Sequence, residues 1–241
     1  MLSIARLTLA DMQALAYSNR VYAAELVLPE LLPACEASTE PLLRQACTAL
    51  AGWDRRADID SRGAVLFREF WSAASAIPNR WAVPFDRRDP VNTPNGVAAS
   101  AVPAMLAALR NAALALQALG VPFDGRLGDY QVEPRNGVRI PLHGGNGNQE
   151  GTYGSLTMRS GLTSSGYVGA HWGQSYLQTV TFDEQGPVAQ GLLTYSQSTD
   201  PASPWYADQT LAYSRKQWPT LPFTQERIRA DPQYSTITLR E

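Results

Sequence analysis

The chain has 241 residues, of which 44% are hydrophobic and 17% are charged, with 18 glycines, 17 prolines and two cysteines. This composition excludes an intrinsically disordered chain, a collagen and a small disulfide-scaffold peptide, and the length allows a substantial core. A net charge of −2 provides no field that would gather phosphates, so we expect no nucleic-acid partner. We expect no membrane partner either, because no apolar run approaches about 18 residues.

Alanine and glycine are distributed unevenly along the chain. Of the 33 alanines, 27 precede residue 121, whereas 14 of the 18 glycines follow residue 120. Alanine favours helices and glycine favours turns. We therefore predict an α+β chain in which residues 1–120 are mainly helical and residues 121–241 are mainly antiparallel strands, with a helix near residues 203–217.

The apolar spacing in the first half is helical. Thr8 and Asp11 form a capping box that predicts the start of a first helix. A second apolar stretch follows from Val21, and we expect Pro29 and Pro33 to interrupt it. The next predicted elements are a helix from Thr39 to Gly52, a core helix over residues 61–71, an extended loop from Pro78 to Gly96 anchored by Trp81 and Phe85, and a long helix from Ala99 to Leu119 ended by Gly120.

After Gly120 the apolar periodicity changes to two, which predicts short strands. The clearest signal is a hairpin whose strands, near residues 175–182 and 188–195, flank the turn Asp183–Gly186. The other predicted elements are a strand from Arg139 to His143, a glycine-rich loop from Gly144 to Asn148, a short helix after Thr224 and a last strand from Thr236 to Leu239.

Two residues are candidates for an accessory catalytic role. His143 ends a predicted strand, and Glu150 follows it by seven residues across the glycine-rich loop. A histidine–carboxylate pair across the loop is one interpretation, and a strand-end histidine satisfied by the backbone is the other. We expect His171, beside Trp172, to be a structural histidine, and the glycine-rich loop to be a mobile loop or turn.

No complete catalytic or cofactor motif is present in the sequence. Two histidines cannot make a three-histidine zinc site, and the sequence contains no HExxH, CxxC, GxSxG or SxxK. We therefore expect no metal and no cofactor. Asp54, Asp58 and Asp60 lack the offsets of a calcium loop, so ion pairs with the neighbouring Arg55, Arg56 and Arg62 are expected instead. Cys35 and Cys47 are interpreted as buried free thiols rather than a disulfide, although their pairing stays open.

Several longer stretches are more specific than these motifs. Among them are Trp53-Asp54-Arg55-Arg56-Ala57-Asp58-Ile59-Asp60-Ser61-Arg62-Gly63, Pro90-Val91-Asn92-Thr93-Pro94, Ile140-Pro141-Leu142-His143-Gly144-Gly145 and Trp218-Pro219-Thr220-Leu221-Pro222-Phe223. Together they resemble the C-terminal part of the penicillin acylase family, in the group of acyl-homoserine-lactone and aculeacin A acylases.

The resemblance implies an N-terminal-nucleophile amidohydrolase with an αββα sandwich, matured by self-cleavage into α and β subunits. In that family the first β-chain residue, usually serine, is the nucleophile and its own amino group is the base. A histidine or backbone N–H and an asparagine hold the oxyanion. These residues correspond to positions before Leu7, and Ser3 does not inherit the nucleophile's role. A late carboxylate orients the histidine in some members, and Glu150 is the candidate for it.

The chain is thus expected to be one partial domain, residues 1–241, of a β subunit. Its partners would be the upstream β-chain segment and the α subunit, its substrate class would be N-acyl amides, and it would be inactive alone. The resemblance implies a periplasmic or secreted protein, although Met1–Arg6 lack a signal-peptide layout. The alternative is a non-catalytic binding module that uses its six tryptophans and ten tyrosines. A large exposed apolar surface would favour the partial domain.

Overall fold

A computed structural model describes residues 6–240 and shows a mixed α+β fold, as predicted. The helices are α1 (Leu9–Ala16), α2 (Tyr22–Glu36), α3 (Pro41–Ala51), α4 (Ala64–Ala74), α5 (Val102–Leu119), α6 (Leu127–Tyr130), α7 (Gly147–Glu150), α8 (Asp208–Ser214) and α9 (Gln225–Arg229). The strands are β1 (Trp81–Val83), β2 (Asn95–Val97), β3 (Gln131–Arg135), β4 (Val138–Pro141), β5 (Leu156–Met158), β6 (Tyr167–Val168), β7 (Ala170–Gly173), β8 (Tyr176–Asp183), β9 (Gly186–Leu193) and β10 (Thr220–Leu221).

The chain folds as two compact units. Residues 18–173 form the larger unit, and the segments on either side of it, up to Tyr17 and from Gln174 onward, form the smaller unit. The compositional change at Gly120 therefore falls inside the larger unit and marks a change of secondary structure rather than a unit boundary. The assignment of the whole chain to one partial domain stays a prediction.

The core of the larger unit lies among helices α2 to α5. The predicted core helix is confirmed as α4, on which Phe67, Phe70 and Trp71 are buried. The Phe67 ring contacts the ring of Trp53 at a centroid distance of 5.1 Å. Helix α5 adds Met105, and Gly120 ends that helix in the left-handed conformation, as predicted.

Helix α5 bears on the expectation that the chain has no membrane partner. Together with the 3-10 turn before it, the segment Ala99–Leu119 is long and apolar enough to cross a membrane by length and composition. Its inner face is nevertheless part of the protein core through residues such as Leu109 and Leu116. Arg110 on this helix pairs with Glu40 at 2.7 Å between Nε and Oε1. These contacts are typical of the core helix of a globular unit.

Helix α2 continues through both of its prolines, so the predicted interruption is wrong. Each proline removes one backbone donor, which leaves the carbonyl four residues earlier without its helical hydrogen bond. Pro29 and Pro33 lie on the exposed side of α2, whereas Leu28, Leu31 and Cys35 are buried. The freed carbonyls therefore lie on the side where water can hydrogen-bond to them, and the helix does not need to end.

A disulfide joins Cys35 to Cys47, so the interpretation as free thiols is wrong. Cys35 lies in the last turn of α2 and Cys47 lies in α3, and their Cα atoms are 6.1 Å apart. This separation is within the normal range for a disulfide. The packing of α2 against α3, rather than the spacing of the cysteines along the chain, brings the two sulfur atoms together.

Short strands cover the remainder of the larger unit. β1 pairs with β2, β4 pairs with β3, and β7 pairs with β5, all antiparallel, whereas β3 and β6 are parallel. β1 lies within the segment from Pro78 to Gly96 that was predicted as an extended loop, and β2 overlaps the end of that segment. Phe85 was expected to anchor that loop, but it is 62% exposed, whereas Trp81 is half-buried.

The smaller unit contains the predicted hairpin, which is confirmed as β8 and β9 with Asp183 opposite Gly186. β10 extends the sheet on the β9 side, so β8 is an edge strand. The first and last predicted helices of this unit are also confirmed, with a capping box at Thr8 and a side-chain cap at Thr224. The helix predicted over residues 203–217 is shortened to α8.

The strand predicted from Thr236 to Leu239 is wrong. These residues are coil, and Ile237 and Leu239 are almost fully exposed. An isolated run of alternating residues does not form a strand unless a neighbouring strand receives its backbone hydrogen bonds. In residues 6–240 no strand pairs with this run.

Candidate functional site

The two candidate residues lie around the segment that follows β4, His143-Gly144-Gly145, which we name the β4 junction. The buried side chain of Gln131, at the start of β3, holds this segment. Its Nε2 donates to the carbonyl of Leu142 at 2.8 Å and to that of Gly144 at 3.0 Å. Buried amides of this kind hold a backbone in one position because each unsatisfied group would cost stability.

Glu150 forms a buried ion pair with Arg68 of α4. Arg68 Nε is 2.7 Å from Glu150 Oε1, and the other oxygen of Glu150 accepts a hydrogen bond from Asn146 N at 3.1 Å. The remaining nitrogens of Arg68 donate to Gln131 Oε1 at 2.5 Å and to Gly144 O at 3.2 Å. Burial acts to lower the pKa of Arg68, but the nearby Glu150, Tyr167 and Glu69 give a net upward shift. Glu150 thus neutralises a buried guanidinium.

His143 contacts a carboxylate, but that carboxylate belongs to Asp58. His143 Nδ1 is 3.1 Å from Asp58 Oδ1 and 3.2 Å from the backbone N of Ile59. One nitrogen cannot donate to Asp58 and accept from Ile59 at once, so the tautomer selects between the two hydrogen bonds. The same oxygen of Asp58 accepts a hydrogen bond from Asn19 Nδ2 at 2.7 Å. His143 thus has both a carboxylate neighbour and a backbone neighbour, which combines the two sequence interpretations. The carboxylate is that of Asp58 and not that of Glu150.

The aspartates near residue 58 do not follow the predicted ion-pair pattern. Asp60 pairs with Arg126 at 2.5 Å between Oδ1 and Nη2, and Asp54 accepts a hydrogen bond from Ser61 Oγ at 3.0 Å. The Arg62 side chain donates to the carbonyl of Asp124. In residues 6–240 no group of three or more His, Cys, Asp or Glu residues could hold a metal ion.

The glycine-rich loop is packed closely against the segment that follows it. Gly144 has a φ of +109°, and a Cβ there would lie 2.6 Å from Gly154 O. A Cβ on Gly145 would overlap the carboxylate of Glu150. The loop is joined to the following segment by two backbone hydrogen bonds, Gly145 N to Gly154 O at 3.0 Å and Leu156 N to Gly145 O at 2.8 Å. Glycine is needed here for close approach as well as for a positive φ.

A cavity of about 160 Å³ lies beside the β4 junction, lined in part by Arg68, Glu69 and Tyr167. Tyr167 Oη donates to Glu69 Oε1 at 2.6 Å, and the Arg68 guanidinium lies 5.1 Å from the centre of the Tyr167 ring. Burial raises the pKa of Tyr167 well above its usual value. The tyrosine is therefore a neutral hydrogen-bond donor at physiological pH.

The arrangement as a whole positions the backbone. The charged groups of Arg68 and Glu150 are occupied by one another and by neighbouring amides, so they hold the loop instead of presenting a reactive group. His171, on β7, is exposed, so burial gives no support for the structural role that was expected for it. Sequence reasoning missed Arg68 and Gln131, because no local motif marks them, and it named Asp58 but expected an arginine rather than His143 as its partner.

The fold and the site therefore define a mixed α+β protein with a buried, hydrogen-bonded polar junction and with no complete active site evident within residues 6–240. The sequence profile of the penicillin amidase family matches residues 1–230, and the chain belongs to this family.

Its relatives include named acylases. The chain is 41% identical over 244 residues to the acyl-homoserine lactone acylase PvdQ of Pseudomonas syringae pv. syringae, with 98% of this chain and 31% of that protein covered. It is 39% identical over 233 residues to the aculeacin-A acylase of Actinoplanes utahensis, with 93% of this chain and 29% of that protein covered. The chain thus spans less than a third of the length of these relatives.

Proposed function

We propose that this chain is the C-terminal segment of a penicillin-acylase-type hydrolase that cleaves the amide bond of N-acyl compounds such as acyl-homoserine lactones. The observation that carries the proposal is the match of nearly the whole chain to acylases of which it covers less than a third. The reaction adds water across the amide bond, so a carboxylic acid and an amine are released. The upstream β-chain segment and the α subunit would be its partners.

In this proposal the chain contributes structure to an N-terminal-nucleophile fold and not the nucleophile itself. The nucleophile of such an enzyme needs a free amino group beside its hydroxyl, and the family places that serine upstream of the segment represented here. The β4 junction suits a supporting role, since its Arg68–Glu150 pair and Gln131 fix the backbone at the end of a strand. A rigid scaffold of this kind keeps catalytic groups within a fraction of an ångström of their working geometry.

The edge strand of the smaller unit supports this proposal over an autonomous binding module. Tyr176, Val180 and Phe182 point to the same face of β8 because side chains alternate along a strand, and all three are exposed. Exposed apolar side chains in a row, on an edge strand, are typical of a surface that another segment covers.

Co-expression with the rest of a relative tests the proposal. The purified chain, incubated with N-dodecanoyl-homoserine lactone, is expected to release no homoserine lactone. Co-expressed with the part of the Pseudomonas syringae acylase that lies outside the matched region, the chain is expected to co-purify with that part and to restore hydrolysis. The matched control is the same part of the acylase expressed alone. Turnover by the chain alone that is abolished by a substitution within it would refute the proposal, and so would full activity of the control.

A further inference from the structure

A second cavity in the larger unit, of about 520 Å³, has a different character from the one at the β4 junction. It lies among α2, the end of α4, the segment that carries β1 and the loop around α7, and we name it the tryptophan pocket. The side chains that matter for its chemistry are Tyr22, Leu26, Trp71, Arg80, Trp81 and Phe85. Its volume is in the range of sites that bind small organic molecules.

The charge in this pocket belongs to Arg80, whose guanidinium lies close to two indole rings. Its central carbon is 5.2 Å from the ring centre of Trp81 and 5.9 Å from that of Trp71, which indicates cation–π contact with both. One hydrogen bond is made by Nη1, to the carbonyl of Ile77 at 3.2 Å. Among the described residues Arg80 has no carboxylate partner, and its buried Nε has no hydrogen-bond partner.

A partly buried cation without a counter-ion creates a preference for an anion. Aromatic faces reduce the cost of desolvating a guanidinium, but they do not replace the hydrogen bonds of a carboxylate. Because Nε is enclosed, the terminal nitrogens of Arg80 are the ones that would donate hydrogen bonds to a bound anion. A second lysine or arginine is absent from the residues that line the pocket, so the site suits a single negative charge rather than a phosphate dianion.

The walls of the pocket favour an apolar body on that anion. Trp71 already uses its indole N–H, which donates to Gln149 O at 2.7 Å, so the ring offers only apolar contact to a ligand. Phe85 is 62% exposed although it lines the pocket, and Leu26 adds an aliphatic surface. A ligand chain placed against Phe85 and Trp81 would remove this apolar area from water.

We propose that the tryptophan pocket binds a monoanionic amphiphile, a carboxylate that carries an aliphatic chain, with the carboxylate on Arg80 and the chain along Trp81 and Phe85. Such a site requires neither a nucleophile nor hydrolysis. Binding can therefore be measured on the isolated chain, and its presence or absence is independent of the proposed acylase function.

The test is calorimetric titration of the purified chain with octanoate and with octanol, two probes that share a chain and differ in charge. At pH 7 the wild-type chain is expected to bind octanoate at one saturable site, at least tenfold more tightly than octanol. Arg80→Gln is expected to remove this difference, whereas the control Arg88→Gln, which changes an exposed arginine paired with Asp86, is expected to preserve it.

Phe85→Ala provides a second variant that keeps the charge and, because Phe85 is exposed, is expected to fold normally. It should weaken octanoate and octanol binding by similar factors. If circular dichroism shows that Arg80→Gln is misfolded, the wild-type preference for octanoate and the Phe85→Ala result decide the matter. Equal binding of the two probes to the wild type, unchanged octanoate binding by folded Arg80→Gln, unchanged binding by Phe85→Ala or no saturable binding would each overturn the proposal.

Discussion

The two units of the chain bury their apolar side chains to different extents. The principal core is built entirely from residues between Val21 and Tyr167, all within the larger unit, where helices α2 to α5 cover one another. In the described part of the smaller unit the buried apolar side chains are few: Tyr17, Leu177, Ala189, Leu192 and Tyr213. The larger unit has an extensive core of its own, whereas the smaller unit consists mainly of a single three-stranded sheet with helices α1 and α8 against it.

In the smaller unit, apolar residues with helical spacing are not buried. Leu9, Met12, Leu15 and Ala16 have the spacing of one apolar helix face, but no residue of α1 is buried. The helix instead packs against β8 with polar contacts, such as Gln13 Nε2 to Thr179 Oγ1 at 3.3 Å. Apolar side chains of the smaller unit therefore remain uncovered by the described residues. This agrees with the proposed assembly of the chain with the rest of an acylase.

Two phenylalanine substitutions give the largest expected contrast. Phe67→Ala should lower the free energy of unfolding by about 4 kcal/mol, because Phe67 is 1% exposed and its removal leaves a cavity. Phe182→Ala should change it by less than about 0.5 kcal/mol, because Phe182 is 75% exposed. Urea unfolding followed by circular dichroism measures both. Equal losses would remove the distinction between the units.

The buried ion pair of the larger unit should also be sensitive. Arg68→Met leaves Glu150 buried without its counter-charge, so we expect a loss of about 3 kcal/mol in the free energy of unfolding. Replacement of both residues by methionine should recover much of that loss. The control, Arg88→Met at an exposed pair, should cost less than about 1 kcal/mol. If Arg68→Met is as stable as the control, the β4 junction is not held by this pair.

The disulfide should stabilise the larger unit by restricting its unfolded chain. Closing the loop between Cys35 and Cys47 contributes between about 2 and 3 kcal/mol in the chain-entropy description. The variant with both cysteines changed to alanine should lose about that amount, and dithiothreitol should lower the melting temperature of the wild type but not of the variant. A reductant that affects both proteins equally would contradict this assignment.

Two glycines with positive φ differ in their surroundings. Comparing them distinguishes the cost of a clash with neighbouring atoms from the cost of the backbone conformation alone. Gly144→Ala forces both a strained φ and a clash with Gly154 O, so we expect a loss of about 2 kcal/mol or more. Gly137, in the turn between β3 and β4, has a φ of +78° with no heavy atom within 4 Å of an added Cβ. Gly137→Ala should therefore cost only about 1 kcal/mol. Equal losses in urea unfolding would show that the glycine-rich loop is not tightly packed.

The smallest effect near neutral pH concerns one tyrosine in each unit. Burial raises the pKa of Tyr17 and of Tyr167 above the usual tyrosine value. Above a pH of about 10 the unfolded chain therefore releases protons that the folded chain retains, and stability falls as the pH rises. Tyr17→Phe and Tyr167→Phe should each make the free energy of unfolding less dependent on pH between 8 and 11. The exposed Tyr153→Phe is the control, and an effect of equal size there would contradict the assignment.

Local signals in the sequence predicted most of the secondary structure correctly. The capping box at Thr8, the glycine at position 120 and the turn between β8 and β9 act within a few residues, so their effects can be read from the chain. The candidate site was predicted only in part. Glu150 and His143 were named, but their partners Arg68 and Asp58 lie 82 and 85 residues away along the chain.

The sequence by itself determined the α+β character, the helical first half, the main hairpin and the family resemblance, because each depends on local patterning or on residues in fixed order. Only the tertiary structure decided that α2 continues through its prolines, that Cys35 and Cys47 pair, and that Arg68 rather than His143 neutralises Glu150. These outcomes depend on which faces of distant elements pack together. Helix α2 continues because its prolines face water, which can hydrogen-bond to the freed carbonyls. A disulfide needs packing that brings the second sulfur atom within reach, and a buried charge needs packing that brings a counter-charge beside it.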